Sequence, residues 1–435
     1  IAECAQASDE AWITGGFFAA DLVDTYDGHP IRDVIDDIAG DKAVFLFDYS
    51  HHHSIVNSKA LEIAGIDATT EAVSGGIIHK DGAGEPNGFV SETQIPLIQA
   101  VIPPRTDAEM DLVFDTFQAR MHGYGVIGWR EAFAQDAASE TYARNEANGL
   151  LRSFVSLCRP AGLAPEAVDA LVESAKGLNG DYLRADCAKI LIDGIMPTRT
   201  ALMLDPYLPA EGDDHDQLNG PDRGHATMEP EAFNAAMTLL DRAGILVKAH
   251  ASADGSARMV LNAIETARAA NGADGPAHEV AHSQMISDKD VPRFADLNAV
   301  AEFSPVFWYP SPLMKFTLEP VIGADRVQSM YRIKDILQTG ARVVAGSDWP
   351  LSTPNPFPSI EAMVTRQNPY GSTDYIGMPY LNQDQAITVE QAIGLYTLTN
   401  AAQMGRDDTS GSLSVGKRAD FIVLARNLMK VEDRR

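Results

Sequence analysis

Two histidines in this chain each close an apolar, β-branched run: His250 ends GILVKAH and His282 ends HEVAH. At the end of a strand, neutral imidazole is a good ligand for zinc or a related divalent ion, although a lone histidine there is more often a satisfied polar residue. A carboxylate occupies the same kind of position. Asp348 lies in RVVAGSDWP, after a β-branched run and a Gly-Ser pair that permits close backbone approach. It could ligate a metal and take a proton from a water whose pKa the ion lowers toward neutrality, or it could cap the turn before Pro350.

Lys189 sits inside the apolar run CAKILID, where a bare ammonium is costly to bury. Two remedies are open: carboxylation, which makes the lysine an anionic metal ligand, or pairing with Asp186 or Asp193. The run His51, His52 and His53 resembles a metal tract, but three consecutive residues of an extended segment cannot face one side. A substrate-contacting or merely polar role fits it better. Cys158 and Cys187 fall within predicted strands and read as small core residues.

The elements that must position these residues repeat one pattern from Gly123 onward. A short apolar run is followed by a polar or glycine-containing junction and then by a longer helical stretch. Strands are predicted at 126–130, 151–158, 187–192, 245–250, 278–281, 299–303 and 342–345. Seven such units, with helices such as 230–243 and 257–270 between them, predict parallel βα repeats. A doubly wound nucleotide-binding sheet loses ground because no GxGxxG or GxxxxGK[ST] follows any of these strands. The polar residues gather at the C-terminal strand ends, where a (β/α)₈ barrel keeps its active site. A closed barrel needs an eighth strand, which this count lacks.

The first hundred residues do not continue the repeat. They predict a strand at 43–49, a helix at 58–64 and a hairpin-like stretch at 75–90, read as an insertion covering the barrel mouth. The expected domains are therefore a cap at 1–105 and a metal-dependent hydrolase barrel at 106–395.

With 435 residues and 45% apolar composition, the chain can bury a full-size core. Its 61 acidic against 34 basic residues, a net charge of -27, would repel phosphate backbones and anionic membrane surfaces. Nucleic acid and membrane are thus excluded as expected partners, a small-molecule substrate is favoured, and self-association as a homo-oligomer is left open. Three widely spaced cysteines without CxxC argue against a disulfide framework, and neither a signal peptide nor an apolar span is evident, so a cytoplasmic protein is expected.

Collectively the segments WITGGFF, HHSIVNSKALEIAGI, GGIIHKDGAGEPNGFV, KILIDGIMPTRTA, KAHASADGSA, HEVAHSQMIS, VVAGSDWPLSTPNPF and GSLSVGKRADFIVL resemble the amidohydrolase superfamily. The likeness is to its YtcJ-like branch, which includes N-substituted formamide deformylases. The resemblance implies a TIM-type barrel with an inserted capping region and a small β-sandwich built from both chain ends, which is incomplete here. Residues 396–435 would be the C-terminal helix and the return to that sandwich.

It further implies one or two divalent ions, zinc foremost, held by a carboxylated Lys189, by His250 and His282, and by Asp348, which is also the general base. His52, Arg199 and Asp254 match positions near the substrate. The implied reaction is hydrolysis of a C–N bond in an amide, formamide or cyclic amide, with an ester or lactone as alternative. The HxH pair that ends the family's first barrel strand has no counterpart among these residues, so an inactive binding protein is the alternative from another class.

Overall fold

Strands form where β-branched and aromatic residues run uninterrupted and turn where glycine, proline and aspartate break them. A computed structural model describes residues 1–7, 9–18, 25–26, 28–48, 53–73, 76–92, 94–209 and 221–430. His52 lies outside the described residues. The chain divides into two compact units, Ile1–Thr106 and Asp107–Arg435.

In the first unit β1 (Trp12–Phe18), β2 (Thr25–Tyr26), β3 (His29–Pro30), β4 (Ala43–Asp48), β5 (His53–Val56), β6 (Gly76–Lys80) and β7 (Pro86–Glu92) are the described strands. Five of them make a mixed sheet in the order β1-β4-β5-β7-β6. β6 and β7 form the expected hairpin, closed through KDGAGE, where Gly84 takes φ +86° and its N–H bonds to Asp81 O at 3.0 Å. The helix Ser58–Ala64 begins where buried Asn57 accepts from Ala60 N, and the same oxygen accepts from Val44 N at 2.8 Å. One side chain thereby caps a helix and ties it to the sheet.

The second unit contains the seven expected parallel strands: β8 (Gly128–Glu131), β9 (Phe154–Pro160), β10 (Leu183–Leu191), β11 (Leu246–Ala251), β12 (Glu279–His282), β13 (Val300–Phe303) and β14 (Val343–Ala345). They lie side by side in chain order. Helix Pro230–Arg242 shows why the layers hold together: Phe233, Ala236, Met237 and Leu240 recur at helical spacing and are all buried.

The sheet curls. Arg130 on β8 pairs with Glu279 on β12, four strands away. In a flat sheet that separation would be roughly 19 Å, more than the two side chains can span. The fold is therefore mixed α/β with a parallel sheet of TIM-like curvature, seven of its strands being among the described residues.

One expectation needs correction. Cys158 and Cys187 are buried as expected, but they are joined in a disulfide rather than standing as separate thiols. They are register partners on the parallel neighbours β9 and β10, with Cα atoms 4.2 Å apart, a proximity their spacing of 29 residues does not reveal. GSLSVGKRADFIVL, expected as the return toward the sandwich, has no regular secondary structure among the described residues. Val423 in it is 87% exposed, although Ile422 packs on Gly125, where φ is +76° and any Cβ would collide with it.

A buried polar cluster fastens two helices to the sheet. His278, 0% exposed, accepts the Val247 N–H at Nδ1 (2.9 Å), so its Nε2 carries the proton donated to Asp241 (2.9 Å). Asp241 also holds Arg268 and Asn271. Burial, opposed in part by Asp241, lowers the His278 pKa. The unfolded chain then takes up a proton near pH 6.5 that the folded chain refuses, so this contribution to stability is lost as pH falls below that value, by at most about 1.4 kcal/mol per unit. Denaturant unfolding between pH 7 and 5 should show a shallower pH slope for His278→Gln than for the wild type. Equal slopes would remove His278 from this role.

Candidate metal centre

β10 carries Lys189 two residues before its end, with the side chain turned inward and 6% exposed. Among the described residues its Nζ has no hydrogen-bond or ion-pair partner. The two aspartates considered as partners are engaged elsewhere: Asp186 accepts from Ser156 Oγ, and Asp193 accepts from the backbone N–H groups of Ser252 and Leu202. Burial lowers the Lys189 pKa to about 8, helped by Lys248 directly opposite on β11 and countered by Glu302, Asp348 and Glu279.

His250 on β11 and His282 at the end of β12 face each other, with ring centroids 4.4 Å apart. The Nε2 of His250 lies 3.1 Å from Gly194 O. A carbonyl can only accept, so Nε2 bears the proton and Nδ1 keeps its lone pair. Burial lowers both histidines, helped by the charges of His282 and Lys189 at His250 and by that of Lys189 at His282: His250 falls well below its usual value and His282 to about 3. Both are therefore neutral at pH 7, the form that binds metal.

His282 ends its strand at φ +71° and Ser283 follows at +41°. Asp348 follows β14 through Gly346 and Ser347 and is itself at φ +53°. Left-handed backbone at residues with side chains is uncommon and persists where surrounding contacts impose it. Asp348 Oδ2 stands 4.0 Å from His282 Nδ1, and burial raises its carboxyl pKa, with Glu302 adding to the effect.

Among the described residues no three His, Cys, Asp or Glu side chains close into a metal-sized cluster. Nε2 of His250 is turned onto a carbonyl, and Lys189, as an ammonium, offers no lone pair. The donor types nevertheless fit. Two neutral imidazoles, a carboxylate and an orphaned buried amine are what a zinc-like site with a carbamate ligand needs, and ligand atoms around zinc stand roughly 3–4 Å apart.

Asp254 and Arg199 have contacts of their own. Asp254 opens the helix Asp254–Asn271 and accepts from Leu204 N at 2.9 Å, while Gly255 beside it admits Leu202 O at a distance any Cβ would violate. Arg199 donates to Asp222 and to Leu208 O and lies over the Tyr207 ring. A concave surface of about 560 Å³ lined by Lys334, Leu337 and Gln391 contains none of the candidate residues.

Sequence reasoning missed a second set of charges. Arg130, Lys248, Glu279 and Glu302 are mostly or wholly buried inside the curled sheet and joined to one another. The signal was present: ILVKAH, HEVAH and VAEFS each hold a charge within an apolar run, the same anomaly that singles out Lys189.

Comparison with known proteins agrees with this reading of the fold. The chain matches the amidohydrolase family over residues 1–435 and belongs to it. It is similar to the putative amidohydrolase YtcJ of Bacillus subtilis, 26% identical, covering 96% of this chain and 74% of that one. It is likewise similar to the N-substituted formamide deformylase of Arthrobacter pascens, 25% identical over 98% of this chain and 76% of the relative. Protein LONG AFTER FAR-RED 3 of Arabidopsis thaliana matches at 25% identity, over 97% and 70% of the two chains. In fold, it resembles an uncharacterized metal-dependent hydrolase from Pyrococcus horikoshii with a TM-score of 0.75 at 22% identity, covering 99% of this chain and 80% of that structure.

Proposed function

We propose that this protein is a metal-dependent hydrolase of C–N bonds in small amides, formamides or cyclic amides. The observation that carries the reading is the meeting of His250 and His282, 4.4 Å apart, with Asp348 4.0 Å from His282 and a partnerless Lys189 on the adjacent strand. Lys189 as its carbamate, His250, His282 and Asp348 would hold a divalent ion, zinc by the nature of its donors. When bound, such an ion supplies carbonyl polarisation and a water acidic enough to lose its proton near neutral pH.

The chain's own groups do the rest. Asp348, its carboxyl pKa raised by burial, collects the proton from water and passes it to the leaving nitrogen. His250 and His282 stay neutral, and Glu302 holds the backbone of His282. Asp254 and Arg199 are proposed to shape the substrate side of the site through the loops they fasten. Because they break the βα repeat, residues 1–105 are proposed as the capping region; on the resemblance alone, His52 is proposed as its substrate contact and residues 396–435 as the return to the β-sandwich. Among the described residues no helix is long and apolar enough to cross a membrane.

The test is a zinc titration followed by turnover of matched N-substituted formamides, cyclic amides and esters. Zinc-dependent amine release is expected, with His250→Ala losing zinc affinity by at least about 100-fold. Turnover confined to esters would replace the amide reading. Absence of both zinc binding and turnover would favour a binding protein.

A further inference from the structure

The buried charges inside the sheet form a chain that ends on the proposed centre. Arg130 and Gln403 hold Glu279, and Glu279 holds Lys248 at 3.1 Å. Lys248 reaches Glu302 Oε2 at 3.1 Å, and the same oxygen accepts the backbone N–H of His282 at 3.1 Å. The other oxygen, Oε1, occupies the side-chain space of Gly346, where an added Cβ would stand only 3.2 Å away. Gly346 is two residues before Asp348. One carboxylate, on a residue 8% exposed, therefore bonds the backbone of His282 and fills the space beside the segment that leads to Asp348.

Its position follows from topology. β13 lies between β12 and β14, so an inward side chain from its centre is equidistant in the sheet from the two strand ends. Both ends leave their strands in left-handed conformations, φ +71° at His282 and +53° at Asp348, which need outside contacts to persist. A charge-assisted bond from a peptide N–H to a carboxylate, itself anchored by an ammonium, is a contact of the required strength.

We infer that Glu302 is a positioning residue that sets the spacing of His282 and Asp348, with Lys248 as its anchor. It touches no reacting atom. The consequence for metal binding rests on the function proposed above, whereas the clamp on the His282 backbone does not.

The experiment separates the two. Hydrogen exchange of the His282 amide is followed in metal-free protein, and zinc affinity is measured by chelator competition, for the wild type, Glu302→Gln, Glu302→Ala and the double variant Lys248→Met with Glu302→Leu. Glu302→Gln keeps an acceptor oxygen and should retain both properties near wild-type values. Glu302→Ala should speed His282 exchange by about tenfold or more, relative to amides elsewhere on β12, and weaken zinc binding about 10–100-fold. The double variant removes both charges together and so keeps its fold, and should show the same loss. Unchanged His282 exchange in the double variant would overturn the inference, as would a Gln variant no better than Ala. A wild type without zinc affinity would sink the metal reading, while the exchange data would still decide the clamp.

Discussion

Lys189→Ala is expected to abolish turnover, and added short carboxylic acids are expected to restore part of it. The ammonium is 6% exposed, lacks a partner among the described residues and faces Lys248 across the strand pair. An isolated buried charge of this kind should not persist, and conversion to an anion that binds metal removes the problem. With the pKa lowered to about 8, roughly a tenth of the amine is neutral at pH 7 and able to take up carbon dioxide. Alanine leaves space for a formate or acetate to occupy the ligand position. Lys189→Met fills that space, so it should be equally inactive, resist rescue, and be as stable as the wild type or more so, by up to about 1–4 kcal/mol. Full activity and full metal content in Lys189→Ala would make the lysine structural.

Glu279→Ala should cost about 3–5 kcal/mol of stability, because it strands the buried Arg130 without its counter-ion and leaves Lys248 with Glu302 alone. Burial by itself would raise the Glu279 pKa; Arg130 and Lys248 outweigh it and hold the carboxyl at about 2. A carboxylate with a depressed folded pKa stabilises at every pH above its unfolded value near 4.3, and that contribution disappears as pH falls toward 2. The wild type should therefore lose stability between about pH 5 and 2 more steeply than Glu279→Ala, which has nothing there to titrate. Glu279→Gln, able to keep its contact with Gln403, should fall between them. Denaturant unfolding at pH 7 that places Glu279→Ala within about 1 kcal/mol of the wild type would refute the network's importance.

Much of the fold was legible because its signal is local. A β-branched run followed by glycine and an amphipathic stretch specifies strand, turn and helix within some thirty residues, so all seven parallel strands were found, with errors of a few residues at their ends. The strand-end placement of His250 and His282 came from the same pattern. The polar interior was less legible. Lys189 was noticed because it interrupts an apolar run, yet Lys248, Glu279 and Glu302 interrupt theirs in the same way, and nothing local says which charge meets which.

By itself, then, the sequence determined the class of fold, the order of its strands and the residue types offered at their C-terminal ends, since each depends on neighbours a few positions away. Only the tertiary structure decided the pairings: Cys158 with Cys187 across two strands, Arg130 with Glu279 across the curled interior, and Glu302 under both His282 and Gly346. Those contacts join residues from about 20 to about 150 positions apart, and the curvature that makes them is a property of the whole sheet rather than of any segment within it.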